Sequence, residues 1–511
     1  MTSISALSNW QPATPRLPAV AAGAPKAAAS ANVSLNVPGN SWPAPSAIVK
    51  LSPASLAAAR QSESEEAALP PTTAARFKDL GAAMLGQFKT GAAVPLDQAK
   101  LPDVVDNKFT LSITTRSGVK VDLTLASLDD GMALQVSASA ELNDDERSAL
   151  SSLAAGFQNA IDGMALDEPQ VRLGALAQFD GKFLQSVAFH AEVKLHTVPP
   201  STQTLDFQAD GKQRKVGIGG ASGSAEVSID TSKIESLGTR EQQAKAINSY
   251  LKQFDQATAR GRGDAGLMTM FKDAFSDMSR TATREAPRDN GLSLPNQWAL
   301  AAEDHAVLTG LADFSASVTQ APKWPNPLRL GEKDSFAYEV SQNTRTEGER
   351  RDDRSISQTQ QAKLSARFHE PLKKGGGLML DVTPQSQNYS YHLIEDTASS
   401  NVELGYKEGK LFRATMQQSA SQSEQVLKYV MGKQTSNKTT PSDYSLERDL
   451  MASLALYQPS ESGRSEEETG AARDERRQQN LAALHDNVFL LTTPSELAAR
   501  AREYSALDKG H

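Results

Sequence analysis

From Lys108 onward the chain alternates apolar and polar residues with a period of two, and this alternation constrains the fold more than any other feature of the sequence. In KFTLSITT, Phe109, Leu111 and Ile113 share one face; in VKVDLTLA, Val119, Val121, Leu123 and Leu125 do; in MALQVSASAEL, Met132, Leu134 and Val136 do. Successive side chains of a strand point to opposite faces, so each run is a strand with one buried face. The links RSG and SLDDG are hairpin-length, which predicts antiparallel neighbours. A helix is predicted next, over NDDERSALSSLAAGFQNAIDG. Asn143 is its cap, Glu146 follows three residues on, and Leu150, Leu153, Phe157 and Ile161 point inward.

A second meander runs from SVAFHAEVKLH through TLDFQAD and RKVGI to AEVSID. A capped helix then begins at Thr239 and buries Ile247, Leu251 and Phe254. A short helix over Thr72 to Lys89, with Phe77, Leu80, Met84 and Phe88 on one stripe, precedes the first strands. Strands, helix, strands, helix is an α+β order. After Trp324 a second β-rich region is predicted, with strands SFAYEVSQ, QAKLSARFHE, NYSYHLIED, NVELGY and KLFRATMQQS. The Ser/Gln-rich and charged segments between them, SQNTRTEGERRDDRSISQTQQ and QQSASQSEQ, read as long exposed hairpin arms or loops.

The fold class is therefore α+β, with two antiparallel β-rich regions and packed helices. The expected organisation is a disordered leader over 1–70, an α+β domain over 71–280 and a connector with a short helix over 281–325. A second β-rich region over 326–440 and a helical tail with a charged spacer over 441–511 complete it. Hydrophobic residues at 39% and aromatics at 6% are low for a wholly compact chain of 511 residues, so sequence outside the cores is expected.

The leader carries Arg16, Lys26, Lys50 and Arg60 before its first acid, Glu63, and its first 50 residues hold 12 Ala, 7 Pro and 7 Ser. It lacks the continuous apolar stretch of a secretory signal. It is similar to the Ser-rich leaders of type III and flagellar export substrates, but a Pro/Ala linker or a disordered tail has the same composition, and that plainer reading comes first. The expected location is cytoplasmic, with export by a signal-peptide-independent route as the further reading.

No cysteine occurs, which removes disulfides, thiolate metal sites and cysteine nucleophiles together. A net charge of −8 without a concentrated basic run argues against nucleic-acid binding. No stretch is apolar for about 18 residues, so no integral membrane helix is predicted. VGIGGASG, Val216 to Gly223, has Gly217 and Gly219 but Ser222 where a dinucleotide loop needs its third glycine, and SAEVSID follows as a strand. The stretch reads as a hairpin turn.

Chemistry has few candidates. His190 and His196 lie on one strand about 20 Å apart, too far to share an ion. His369 and His392, on neighbouring strands, are better placed to meet, with Glu370 and Glu395. An enzyme reading puts a pocket beside His369, His392 and Glu395. No catalytic, cofactor-binding or metal residue is assigned, and no cofactor is implied. A third reading takes the polar hairpin Ser341 to Gln361 as a membrane-inserting arm; Arg345, Glu347, Glu349, Arg350 and Arg351 near its tip oppose it.

Along SQNYSYHLIEDTASSNVELGY, KLFRATMQQSASQSEQVLKYV and QAKLSARFHEPL the chain resembles an uncharacterised family of bacterial proteins, some of which carry an automatic lactate dehydrogenase label. That activity needs a nucleotide-binding βαβ unit, which the sequence does not contain, so it is not carried over. The leading expectation is a non-enzymatic interaction or structural protein with a protein partner.

Overall fold

A computed structural model describes residues 47–51, 72–90, 106–127, 132–233, 236–280, 300–373, 375–455 and 470–507. The first strands are β1 (Ala47–Leu51), β2 (Asn107–Thr115), β3 (Lys120–Ser127), β4 (Met132–Ala138), β5 (Leu184–Leu195), β6 (Ser201–Asp210), β7 (Gln213–Gly220) and β8 (Gly223–Asp230). Then come β9 (Asp313–Gln320), β10 (Ser335–Glu347), β11 (Ser355–Pro371), β12 (Tyr389–Lys407), β13 (Lys410–Val430) and β14 (Lys433–Asp449). All belong to one sheet of 14 strands in the order β1-β4-β3-β2-β5, then consecutively to β14.

Helices are α1 (Thr73–Phe77), α2 (Leu80–Thr90), α3 (Asp144–Ser152), α4 (Ala154–Met164), α5 (Gly174–Ala177), α6 (Arg240–Gly261) and α7 (Ala265–Ser279). Four more follow: α8 (Ala302–His305), α9 (Met451–Ala455), α10 (Gly470–His485) and α11 (Pro494–Leu507). The class is α+β, with antiparallel β-rich regions and packed helices.

One register runs across almost the whole sheet. Leu123, Leu111, Phe189, Phe207, Val216 and Val227 face one another on successive strands, and Ala316, Val340, Ala362, Ala398 and Ala420 continue the row. All are buried. The link between the two β-rich regions is β9, in the segment expected as connector, which pairs with β8 on one side and β10 on the other. Phe314, Ala316 and Val318 of β9 join the buried face. Over them, Tyr250, Phe254 and Phe275 of α6 and α7 pack edge-on against Phe314 and Tyr338, with ring centroids 5.0–5.7 Å apart, and Phe271 packs on Phe254 at 4.9 Å. Each fully buried ring of this kind contributes about 1.5–3 kcal/mol.

Asn143 and Glu146 form the expected capping box, as do Thr239 and Gln242. The helix expected over 72–89 is broken after Phe77, where Asp79 takes φ 59°, and the one beginning at Asn143 is divided at Leu153. The glycine stretch is a hairpin: β7 runs to Gly220, and Gly223, at φ 138°, opens β8. A Cβ there would lie 2.1 Å from the Thr319 carbonyl oxygen, so only glycine fits.

Ser341 to Gln361 is not an exposed arm. It is the β10–β11 hairpin, paired outward with β9 and β12, and Gln342, Thr344, Gln358 and Gln360 are buried. The glutamine amides satisfy irregular backbone laid across the helix-bearing face. Gln360 donates to the Val488 carbonyl (2.8 Å) and accepts from the Leu490 N–H (3.1 Å); Gln253 and Gln418 donate to the Leu490 and Phe489 carbonyls (3.0 and 3.2 Å). A segment outside any strand ladder needs such partners when buried. QQSASQSEQ likewise lies within β13 rather than in a loop, and β14 occupies the start of the expected helical tail.

Of the leader, only Ala47–Leu51 are described, and they pair with β4 as an edge strand. The rest of that expectation lies outside the described residues. So do 281–299 of the connector and the first part of the charged spacer, whose second part is α10.

Candidate functional site

His369 and His392 sit on adjacent strands, but the register separates them. Phe368 pairs with His392, and His369 pairs with Tyr391, so the two imidazoles project from opposite faces of the sheet. Glu395 shares the His369 face but lies four residues along β12 from Tyr391, about 13 Å at ~3.3 Å per residue, and accepts from Ser365 Oγ at 2.7 Å. The three residues of the enzyme reading are not brought together. His190 is paired with Asp206 at 2.7 Å on the open face, and His196 lies beyond the end of β5.

On the helix-bearing face, His392 stacks on Phe368 with centroids 4.8 Å apart and approaches Glu424 (2.8 Å) and Glu370 (3.1 Å). Arg262, in the left-handed conformation at the end of α6, covers the other face of Phe368 and pairs with Glu370. Asp264 caps α7 through the Leu267 N–H, so Arg262 and Asp264 both serve the turn between two helices. Close by, a cavity of about 40 Å3 is walled by Ala257, Arg260, Tyr338, Ala362 and Asp396. The Tyr338 hydroxyl is buried without a hydrogen-bond partner.

The opposite face carries a denser arrangement. His369 Nδ1 and its main-chain N–H both donate to Asp334 Oδ1, at 2.6 and 3.0 Å, and Nε2 lies 3.3 Å from Glu332 Oε2. The Tyr389 hydroxyl donates to the same Glu332 oxygen (2.6 Å), and Asn326 Nδ2 reaches both Tyr389 Oη and Gln387 Oε1 at 2.9 Å. Tyr389 and Tyr391 flank the imidazole, with centroids 4.9 and 4.6 Å away. Burial works against a charged imidazole, but the bonds to Asp334 and Glu332 and their charges outweigh it, and His369 is raised. Glu332 is lowered: burial opposes its charge, and the bonds from His369 and Tyr389 prevail.

What this network holds is three loops at one end of the sheet. The segment 321–334 is tied to β11 through His369 and to β12 where the Tyr391 hydroxyl donates to the Lys333 carbonyl (3.0 Å). The segment 372–388 is tied to it by Asn326 and Gln387, and to the β13–β14 turn by the Gly432 N–H donating to the Gln387 carbonyl (3.0 Å). Arg329 bridges back to that turn, lying over the Tyr429 ring at 4.2 Å and donating to the Gly432 carbonyl.

Outward from this scaffold the loops expose apolar side chains. Trp324, Leu328 and Leu330 come from the first loop, Met379 and Val382 from the second, and Val430 and Met431 from the turn. They are seven of the ten large apolar residues exposed among the described residues, Met379 at 87% and Leu330 at 72%. Scattered exposed apolar residues need no explanation; a concentration on loops fixed by a buried polar network does. Sequence reasoning missed this end. The signal lay in KWPNPLRLGEKD, where apolar residues stand among prolines in a segment with no strand or helix period.

No helix among the described residues is long and apolar enough to cross a membrane. Compared with protein-family models, curated proteins and solved structures, the chain matches none.

Proposed function

We propose that this is a non-enzymatic interaction protein that docks through the loop end of its sheet. The observation that supports the reading is the concentration of exposed apolar side chains on three loops anchored by His369, Asp334, Glu332 and Tyr389. A rigid scaffold carrying variable loops is a common arrangement for binding. Preorganised loops also lose little conformational freedom on docking. The bacterial family resemblance, a cytoplasmic site of synthesis and export by a type III or flagellar-type route belong to the same proposal.

The test is site-specific photo-crosslinking in cells that make the full chain. A crosslinker at Leu330 should give a discrete adduct that one at exposed Gln213 does not give. Equal labelling at both positions, or none at Leu330, would sink the docking reading. Fractionation of cells with and without an export machine tests the route; a chain retained in every background overturns it.

A further inference from the structure

The loop end is basic as well as apolar, in a chain of net charge −8. Its three segments and the strand ends beside the β13–β14 turn carry Lys323, Arg329, Lys333, Lys373, Lys428 and Lys433 against the acids Glu332, Asp334 and Asp381. Those acids are engaged within the scaffold. Glu332 and Asp334 hold His369, and Asp381 accepts from the N–H and hydroxyl of Thr383 at 2.7 and 2.5 Å. Glu370, at the end of β11, is paired with Arg262. Lys323, Lys373, Lys428 and Lys433 are exposed.

We propose that the partner of this end is the surface of an anionic lipid bilayer. The inference rests on the docking reading above and names what is docked upon. Apolar side chains on loop tips, interleaved with lysines and led by a tryptophan, match an interface that is apolar inside and negatively charged at its headgroups. Trp324 is 55% exposed between Lys323 and Pro325, and Leu328 and Leu330 flank Arg329. A fluid surface requires no complementary pocket, and it takes apolar groups from three separate loops at once. The His369 network holds those loops together before contact, so docking need not order them.

The experiment is co-sedimentation of the full chain with vesicles of phosphatidylcholine alone or containing 30% phosphatidylglycerol. Binding to the anionic vesicles, weakened by salt, is the expected result. Substituting alanine for Lys323, Lys373, Lys428 or Lys433 should weaken partitioning about fivefold for each residue. In a chain with Trp10, Trp42 and Trp298 replaced by phenylalanine, Trp324 emission should shift to the blue on binding. Equal binding to neutral vesicles, no binding to either, or indifference to the lysine substitutions overturns the bilayer reading. If vesicles fail while a Leu330 crosslink to a soluble protein or a second copy persists, the docking end stands and the bilayer falls. If neither is seen, both readings fall.

Discussion

One carboxylate oxygen, Asp334 Oδ1, accepts from both the ring and the main chain of His369, at 2.6 and 3.0 Å, and so ties the first loop to strand β11. His369 is raised from the ordinary 6.5, so its contribution is complete below 6.5 and is lost as pH rises through the raised value. Glu332 is lowered from the ordinary 4.5, so its contribution is present above 4.5 and is lost as pH falls through the lowered value. The loop end is therefore held best between 4.5 and 6.5. Hydrogen exchange in 321–334 and 372–388, corrected for intrinsic rates, should show greatest protection there. His369→Gln should remove the alkaline decline and cost about 1.5–3 kcal/mol for the lost bonds to charged groups. Protection in the parent chain that stays flat from pH 5 to 9 would contradict this.

Gln360 serves two partners in the segment that crosses the sheet, the Val488 carbonyl and the Leu490 N–H, and also accepts from the Tyr250 hydroxyl at 3.0 Å. Gln360→Met keeps the volume and removes the amide. The unpaired buried groups should cost on the order of 2–3 kcal/mol. The Leu490 amide should lose protection before the strands do. Loss of protection that is uniform over the sheet would mean that the glutamine supports the core rather than the segment.

The first-region strands were legible because Phe109, Leu111, Ile113 and their counterparts alternate strictly. β9 was not: of its alternating set only Phe314 and Val318 are large, the third being Ala316, and the preceding residues imitate a helix. Strands rich in buried glutamine, serine and threonine read as solvent-exposed because sequence carries the polarity of a side chain and not its partner. Gln342, Gln358 and Gln360 are buried only because Thr309, Tyr250 and the Val488–Leu490 backbone wait for them. The histidine pairing failed on parity. Neighbouring strands were enough to bring His369 near His392, but a register offset by one residue put them on opposite faces.

At the other end of the long strands Arg354 is buried on Asp304, with Nη2 at 3.0 and 2.8 Å from its two carboxylate oxygens. The Tyr406 hydroxyl donates to the same carboxylate at 2.7 Å, and the Arg354 guanidinium lies 3.5 Å from the centre of that ring. Asp304→Leu leaves a buried cation without its counter-charge and should cost about 3–5 kcal/mol in urea unfolding. Adding Arg354→Met should recover most of the loss, because an apolar pair of similar volume can replace a buried ion pair. Costs of the two changes that simply add would show that the pair is not coupled.

Among the described residues β14, of 17 residues, is paired on one side only and exposed along almost its whole length, and such an edge is a template for another strand. Its middle holds Pro441, opposite Ser423 of β13. Proline has no N–H, and within an intact ladder its nitrogen belongs on the side away from the partner strand, here the open edge. The residue thus removes a donor where a second chain would pair, and Lys433 and Lys438 add charge along the same strand. Pro441→Thr with Lys438→Thr restores the donor and removes one charge without touching the buried face. Sedimentation velocity across a tenfold concentration range should then show association that the parent chain lacks at the same concentrations, with the urea midpoint of folding little changed. If the variant sediments as the parent does, the proline is not what keeps this edge unpaired.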